Sequence, residues 1–296
     1  MNVLVAGGSG FIGQHLCAKL QERDHEVTAL SRSPDPSAVP AGVDTAMGDV
    51  TAYDSIEPAF EGQDAVVNLV ALSPLFKPSG GEEVHETLHY GGTENCLRAA
   101  EAHGVERFTQ MSALDADPAA DTHYLRAKGR AEELVRDADL GWTILRPSVV
   151  FGDGDEFVGF TRTLTPPFLA PLPGGGKTLF QPIYVDEMTS ILAESIEDER
   201  HVGETYEIGG PEILTLAAVA KLAREARGQS VRIIPVPMGL AGLGLAIADA
   251  LPGIPMGRDQ YRSLRIDNVT SENDVAAFGM DPTEMTTLAE YLGTDR

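Results

Sequence analysis

The stretch VLVAGGSGFIGQHL, near the start of this 296-residue chain, leaves few folds open. An apolar run from Asn2 to Ala6 ends in Gly7, and glycine recurs at Gly10 and Gly13 before the apolar spacing turns helical near Phe11. Strand, glycine turn and helix in that order form the first βα unit of a doubly wound sheet. Such glycines permit a tight turn and let a pyrophosphate approach the backbone. The opening helix offers free N–H groups and the positive end of its dipole. Gly7, Ser9, Gly10, Phe11, Ile12 and Gly13 are therefore read as cofactor-binding.

Up to about residue 150 the pattern alternates. HEVTAL, DTAMGDV, DAVVNLVAL, VERFTQMSA and WTILRPSVVFG read as strands. EEVHETLHYGGTENCLRAAEAHG reads as a long helix with a tolerated Gly-Gly, and THYLRAKGRAEELVRDA as another. Strands alternating with helices predict an α/β fold, a Rossmann-type doubly wound parallel sheet covered on both faces. Beyond Phe151 the pattern loosens. PPFLAPLPGGG reads as a loop, TLFQPIYVDEMTSILAESIED as strand then helix capped by Asp186, and ETYEIGG and VRIIPVP as strands. The expected organisation is a dinucleotide-binding domain over 1–150. A smaller C-terminal substrate-binding annex would follow over 151–296, with some elements returning to the main sheet.

The end of the second strand chooses the cofactor. NAD-binding sites usually place an acidic residue there for the ribose 2′-OH. This chain has Ser31, Arg32 and Ser33, and a guanidinium suits a 2′-phosphate, so NADP(H) is expected over NAD(H). Further on, Tyr124 and Lys128 stand four residues apart in a helical run and share one face. An ammonium beside a phenol is expected to lower its pKa and ready it for proton transfer as a carbonyl gains or loses hydride. Ser112 closes the preceding strand at its C-terminal end, where a hydroxyl would orient the same carbonyl.

Taken together, GGSGFIG, the strand-end serine, the Tyr-x-x-x-Lys helix and LRPSVVFGDGD resemble the extended and atypical short-chain dehydrogenase/reductases, over nearly the whole chain. HYLRAKGRAEELVR, RPSVVFG and FQPIYVDEM look most like the branch that includes the NAD(P)H-binding accessory subunit of respiratory complex I. The resemblance implies that Asp49 and Val50 face the adenine and that Ala71 and Leu72 line the cofactor. It implies further that Tyr124 and Lys128 contact the nicotinamide ribose, and that Pro147, Ser148 and Val149 flank the nicotinamide. Extended members often carry an asparagine early in the fourth helix; here His89 stands near that place. The resemblance implies an NADP-dependent oxidoreductase with Tyr124 as acid/base, Lys128 as its activator and Ser112 as carbonyl binder. The alternatives are a non-catalytic NADPH-binding accessory subunit of a respiratory assembly and a nucleotide-sugar epimerase or dehydratase.

Charge narrows the partners. With 45 acidic against 22 basic residues the net charge is −23, which repels nucleic acid and anionic lipid. Few lysines and a strongly acidic balance suit molar salt, where screening acts over roughly 3 Å. The expected outcome is unfolding at low ionic strength, checked by melting temperature against salt; a salt-independent melting point would refute it. No run approaches the ~20 apolar residues of a membrane span, and no leader is visible at the N-terminus. Two cysteines, Cys17 and Cys96, in helical runs fit a reducing cytoplasm. The expected partner is a small, apolar substrate, with peripheral docking to a membrane complex left open, as is oligomeric state.

Two motifs compete with this reading. HETLH, from His85 to His89, matches a zinc-protease helix, but it lies in the dinucleotide-binding half with no third ligand in view, so no metal is expected. PGGGKT lacks the first glycine of a phosphate loop, Pro171 standing there, and a strand follows; it reads as a turn or lid. The apolar stretches FVGFTRTLTPPFLAPLP and GLAGLGLAIADAL read as core or lid.

Overall fold

The computed structural model describes residues 1–242 and 257–294. In chain order the elements are β1 (Asn2–Ala6), α1 (Phe11–Glu22), β2 (Glu26–Ser31), β3 (Asp44–Met47), α2 (Tyr53–Ile56) and β4 (Ala65–Asn68). Then come α3 (Glu83–His85), a π-helical turn (Glu86–Gly91), α4 (Gly92–Ala102), β5 (Arg107–Met111), α5 (His123–Asp137) and β6 (Gly141–Pro147). The second half holds β7 (Val150–Phe151), α6 (Glu156–Leu164), β8 (Phe168–Pro173), β9 (Leu179–Phe180), β10 (Ile183–Tyr184) and α7 (Val185–Glu197). β11 (Glu204–Ile208), β12 (Leu214–Thr215), α8 (Leu216–Glu225) and β13 (Val231–Val236) follow.

These elements form two compact units. The first comprises Met1–Leu72, Glu82–Arg146 and Val185–Tyr206. Its sheet has seven strands in the order β11-β6-β5-β4-β1-β2-β3. Every pairing from β3 to β6 is parallel, as the alternation predicts. Order 3-2-1-4-5-6 is that of a doubly wound sheet, and its direction reverses between β1 and β4, where ligands bind at the carboxyl ends of strands. β1 and β4 are apolar on both faces because both are covered: Val3, Leu4, Val5, Val66 and Val67 are fully buried. The core on one face joins Leu4, Leu30, Phe60, Phe108, Cys96 and Ile144.

The second unit comprises Ser73–Gly81, Pro147–Tyr184 and Glu207–Arg296. Its core packs α6 and α8 through Phe157, Val158, Val219 and Ala223, with Phe151 and Leu288. Two readings of this half need correction. PPFLAPLP is not a loop: Phe168–Pro173 is strand β8, paired in parallel with β13. Its prolines misled the reading, yet proline sits readily in a strand with a free edge, as a two-stranded sheet provides. Asp186 does not cap α7, which already begins at Val185; the carboxylate lies in the first turn, 3.4 Å from His15 Nδ1. PGGGKT is a turn, with Gly174, Gly175 and Gly176 all at positive φ. Of GLAGLGLAIADAL, residues 243–251 lie outside the described residues. Among the described residues no helix is long and apolar enough to cross a membrane.

Candidate functional site

The first unit carries a cavity of about 550 Å³ at the carboxyl ends of β1, β2 and β4. Gly7 leaves β1 at φ +87, a conformation that side chains resist, and its N–H donates to Leu30 O at 2.9 Å. α1 starts at Phe11 with Gly10 as N-cap, and no side chain caps its first N–H groups. Those groups are left for a ligand of opposite charge. Gly13 is where the helix lies against the turn: a Cβ there would stand 2.3 Å from Gly7 O.

Of the residues expected to bind cofactor, Gly7, Ser9, Gly10, Ser31, Arg32, Ser33, Asp49, Val50, Ala71 and Leu72 all line this cavity. Phe11, Ile12 and Gly13 form the first turn of α1 beside it. Leu30, Gly48, Leu69, Val70 and Leu88 line it too, and sequence reasoning missed them. Leu69 and Val70 follow β4 in a segment pinned by Asn68, whose side chain accepts from Val70 N (3.2 Å) and donates to Gln110 (2.9 Å) and Thr93 (3.3 Å). The apolar run DAVVNLVAL, broken by one asparagine at a strand end, was the signal available for them.

The end of β2 is uncommitted. The Ser31 hydroxyl is buried with no hydrogen-bond partner, and among the described residues Arg32 makes no hydrogen bond or ion pair. Asp49 turns its carboxylate into its own turn, accepting from Thr51 N (3.0 Å) and Oγ1 (2.8 Å). The Thr51 N–H holds the Asp49 pKa down against partial burial, helped by the Thr51 hydroxyl and the Arg32 charge. A glycine cradle, an uncapped helix end, an orphaned hydroxyl and the Arg32 guanidinium fit a nicotinamide dinucleotide.

A second cluster lies on α5. Thr122 caps this helix, its hydroxyl accepting from Leu125 N at 3.2 Å. Tyr124, Lys128 and Glu132 follow at four-residue spacing on one face. The expected lowering of the phenol pKa is not found. Burial pushes Tyr124 up to about 12. The Lys128 ammonium sits 6.0 Å from the Tyr124 ring centroid and donates to Met111 O at 2.9 Å. Burial pushes Lys128 down to about 8, against the pull of the Glu132 charge. Ser112 is buried and donates to Glu132 Oε1 at 2.5 Å, so its one hydrogen is already engaged.

The end of α3 and the π turn that follows it set two imidazoles against the phenol. His85 and His89 stack with centroids 5.5 Å apart, and each meets Tyr124 edge-on, at 5.8 and 5.3 Å. His89 is buried and neither ring nitrogen makes a hydrogen bond of ordinary geometry. Its pKa lies well below normal through burial, then through the Lys128 and His85 charges, outweighing a weak backbone interaction with Val70. Glu86, the would-be base of the zinc motif, is bound to Arg130 instead.

In the second unit, Pro147 ends β6, and Ser148 donates to Asn268, with Oδ1 at 2.7 Å and the carbonyl at 2.9 Å. Val149 N donates to the same Oδ1 at 3.0 Å.

The Lys128 shift has a stability consequence. Its proton is held to about 8 in the fold but to 10.5 in the unfolded chain. Between those values the unfolded state binds more protons, so the Lys128 contribution to stability rises with pH. Lys128→Met is therefore expected to stabilise the protein more at pH 7 than at pH 10, read from denaturant midpoints at both pH values. An equal gain at the two would contradict this.

A family model described as NAD(P)H-binding matches residues 7–164, more than half of the chain. The chain belongs to this family, among the extended short-chain dehydrogenase/reductases. This NAD(P)H-binding protein is 27% identical over 287 residues to the mitochondrial NADH dehydrogenase [ubiquinone] 1 alpha subcomplex subunit 9 of Arabidopsis thaliana, covering 91% of this chain and 71% of the relative. It is 32% identical over 177 residues to the 2-alkyl-3-oxoalkanoate reductase of Stenotrophomonas maltophilia, covering 53% of each. It shares its fold with the UDP-glucose 4-epimerase of Thermotoga maritima, solved with UDP-glucose, at a TM-score of 0.72 and 19% identity, covering 99% of this chain and 97% of the other.

Proposed function

We propose that this protein is an NADP(H)-dependent oxidoreductase that reduces the carbonyl of a small, apolar substrate, with Tyr124 giving the proton. In this reading residues 1–150 bind the nucleotide and 151–296 choose the substrate. The observation that carries it is Tyr124, a phenol kept protonated to about 12 on the same helix face as the buried Lys128 ammonium. Such a phenol is a proton donor near neutrality, which suits reduction rather than oxidation. The bound cofactor supplies the hydride. Lys128 favours the phenolate left behind once the proton has gone. Because Ser112 gives its hydrogen to Glu132, carbonyl polarisation falls to Tyr124 rather than to the serine. The test is NADPH oxidation at 340 nm over a panel of apolar carbonyl compounds that includes 2-alkyl-3-oxo acids, the class named for one relative. No turnover on any of them, with NADPH binding intact, would overturn the oxidoreductase reading. Turnover of nucleotide-sugars alone would move it to the epimerases.

The choice of NADP(H) rests on Ser31, Arg32 and Ser33. Arg32 and Ser31 would hold the 2′-phosphate, and Arg32→Ala is expected to weaken NADPH about 30-fold, the loss of charge-assisted hydrogen bonds worth about 2 kcal/mol. NADH affinity should change less than about threefold. Equal wild-type affinities for the two, by calorimetry, would refute the preference.

A second reading is an NADPH-binding accessory subunit of a respiratory assembly. It is favoured by the similarity over 91% of the chain to a complex I subunit. It predicts tight NADPH binding, no turnover, and co-purification with a membrane complex.

A further inference from the structure

Lys128 lies beside Tyr124, its ammonium 6.0 Å from the ring centroid, and its surroundings decide whether its charge is kept. From its own helix it is faced by Tyr124 and Glu132, and from the π turn by His89, against which His85 of α3 stacks. β5 offers the Met111 carbonyl, and β6 offers Arg146 through Glu132. Among the described residues Lys128 makes no ion pair within hydrogen-bonding reach; its bond is to a neutral carbonyl. Both nearby imidazoles are aromatic neighbours rather than anions. Among the described residues the negative charge that acts on it is Glu132.

Glu132 is fully buried. Its carboxylate accepts from Ser112 Oγ at 2.5 Å, Arg146 Nε at 2.8 Å, Arg146 Nη2 at 2.6 Å and Arg136 Nη2 at 2.8 Å. Arg146 also donates to Ala116 O at 3.2 Å, in the loop between β5 and α5. One carboxylate thus gathers the end of β5, the end of β6 and the middle of α5. It also meets three cations with a single charge: Lys128, Arg136 and Arg146. Arginine does not give up its proton in proteins, so any shortage of negative charge falls on the lysine.

We propose that Glu132 is a positioning residue of the cofactor site, a buried anion that fixes α5 against the ends of β5 and β6 and keeps Lys128 charged for contact with the cofactor. This rests on the reading above, in which Lys128 meets the cofactor. Glu132 does not touch the cofactor itself and acts through Lys128 and Ser112. Its consequence is a pH limit on binding. NADPH should bind with constant affinity while Lys128 is charged and weaken above about pH 8. Removing the Glu132 charge should bring that limit down into the neutral range.

The test uses the full chain at one fixed salt concentration, with NADPH as the probe. Binding is followed by nicotinamide fluorescence from pH 6 to 10. The Lys128 titration is followed separately by NMR of ¹³Cε-lysine, tractable in a chain with five lysines. Glu132→Gln is expected to lower the Lys128 midpoint by about one unit and, through the lost charge, to weaken NADPH about threefold at pH 7.5. Ser112→Ala leaves the charge in place, so its midpoint should stay at the wild-type value while its melting temperature falls. A wild-type midpoint and wild-type affinity in Glu132→Gln overturn the proposal. A shifted midpoint in Ser112→Ala overturns it as well, because the hydroxyl rather than the charge would then be in control. Lys128→Met separates the two levels of the argument. If it binds NADPH as well as the wild type, the underlying reading of Lys128 fails, whatever Glu132 does. Should Glu132→Gln not fold, Arg136→Gln decides. It frees part of the Glu132 charge and should raise the Lys128 midpoint by about half a unit; an unmoved midpoint overturns the proposal.

Discussion

Gly13→Ala is expected to lower NADPH affinity by about 100-fold or more and to destabilise the fold by about 3 kcal/mol. The added Cβ would meet Gly7 O at 2.3 Å, Gly8 Cα at 2.7 Å and Gly8 C at 2.8 Å. All three are backbone atoms, so no side chain can swing away to make room. Either α1 lifts from the turn after β1 or the turn itself is pushed outward. Both moves displace the uncapped N–H groups at the start of α1 from the floor of the cavity, and a small misplacement of positioning groups is costly. Gly159→Ala is the control. It lies inside α6, where a Cβ would meet nothing within 4 Å, and it should be neutral or slightly stabilising. Melting temperatures and NADPH titrations of the two variants side by side decide the matter. A Gly13→Ala protein that binds NADPH like the wild type would mean that the glycine turn is only a tight corner.

Tyr124→Phe is expected to reduce the reductase rate about 100-fold or more, roughly 2.7 kcal/mol of transition-state stabilisation. The change removes one oxygen and leaves the ring on its two imidazoles. Cofactor affinity should move less than about fivefold, the worth of one hydrogen bond to the ribose. The rate loss should be the same at any pH below about 10, because the wild-type phenol stays protonated to about 12 in the fold. A phenol activated by its lysine would instead show a limb in the pH–rate profile near neutrality. If Tyr124→Phe turns over like the wild type, Tyr124 is only part of the wall, and the proton comes from elsewhere.

The two candidate clusters were legible to different degrees, for a physical reason. The turn of Gly7, Gly10 and Gly13 is written in the sequence because only glycine meets its backbone demands. The Ser-Arg-Ser end of β2 is equally local: it is the next strand end in a doubly wound order. What a side chain does over a long range was harder to read. Ser112 and Glu132 are twenty residues apart and meet only because α5 packs across the end of β5. The spacing of Tyr124, Lys128 and Glu132 was a sign that passed unused. The effect of Lys128 on Tyr124 was read from proximity alone, and burial, which no local pattern displays, overrode it. In the second half, prolines masked β8, because edge position is a tertiary property.

The π turn at Glu86–Gly91 fits one more residue into a helical revolution than the stretch after it. A chain lacking one residue there would wind as ordinary α-helix, and everything upstream would rotate by about 100° about the axis. His85 would swing off the phenol, and the stacked pair would come apart, while Gly92 kept its place against Val50. The bulge is thus a register device: a single codon gained or lost decides whether two rings or one stand guard under the tyrosine.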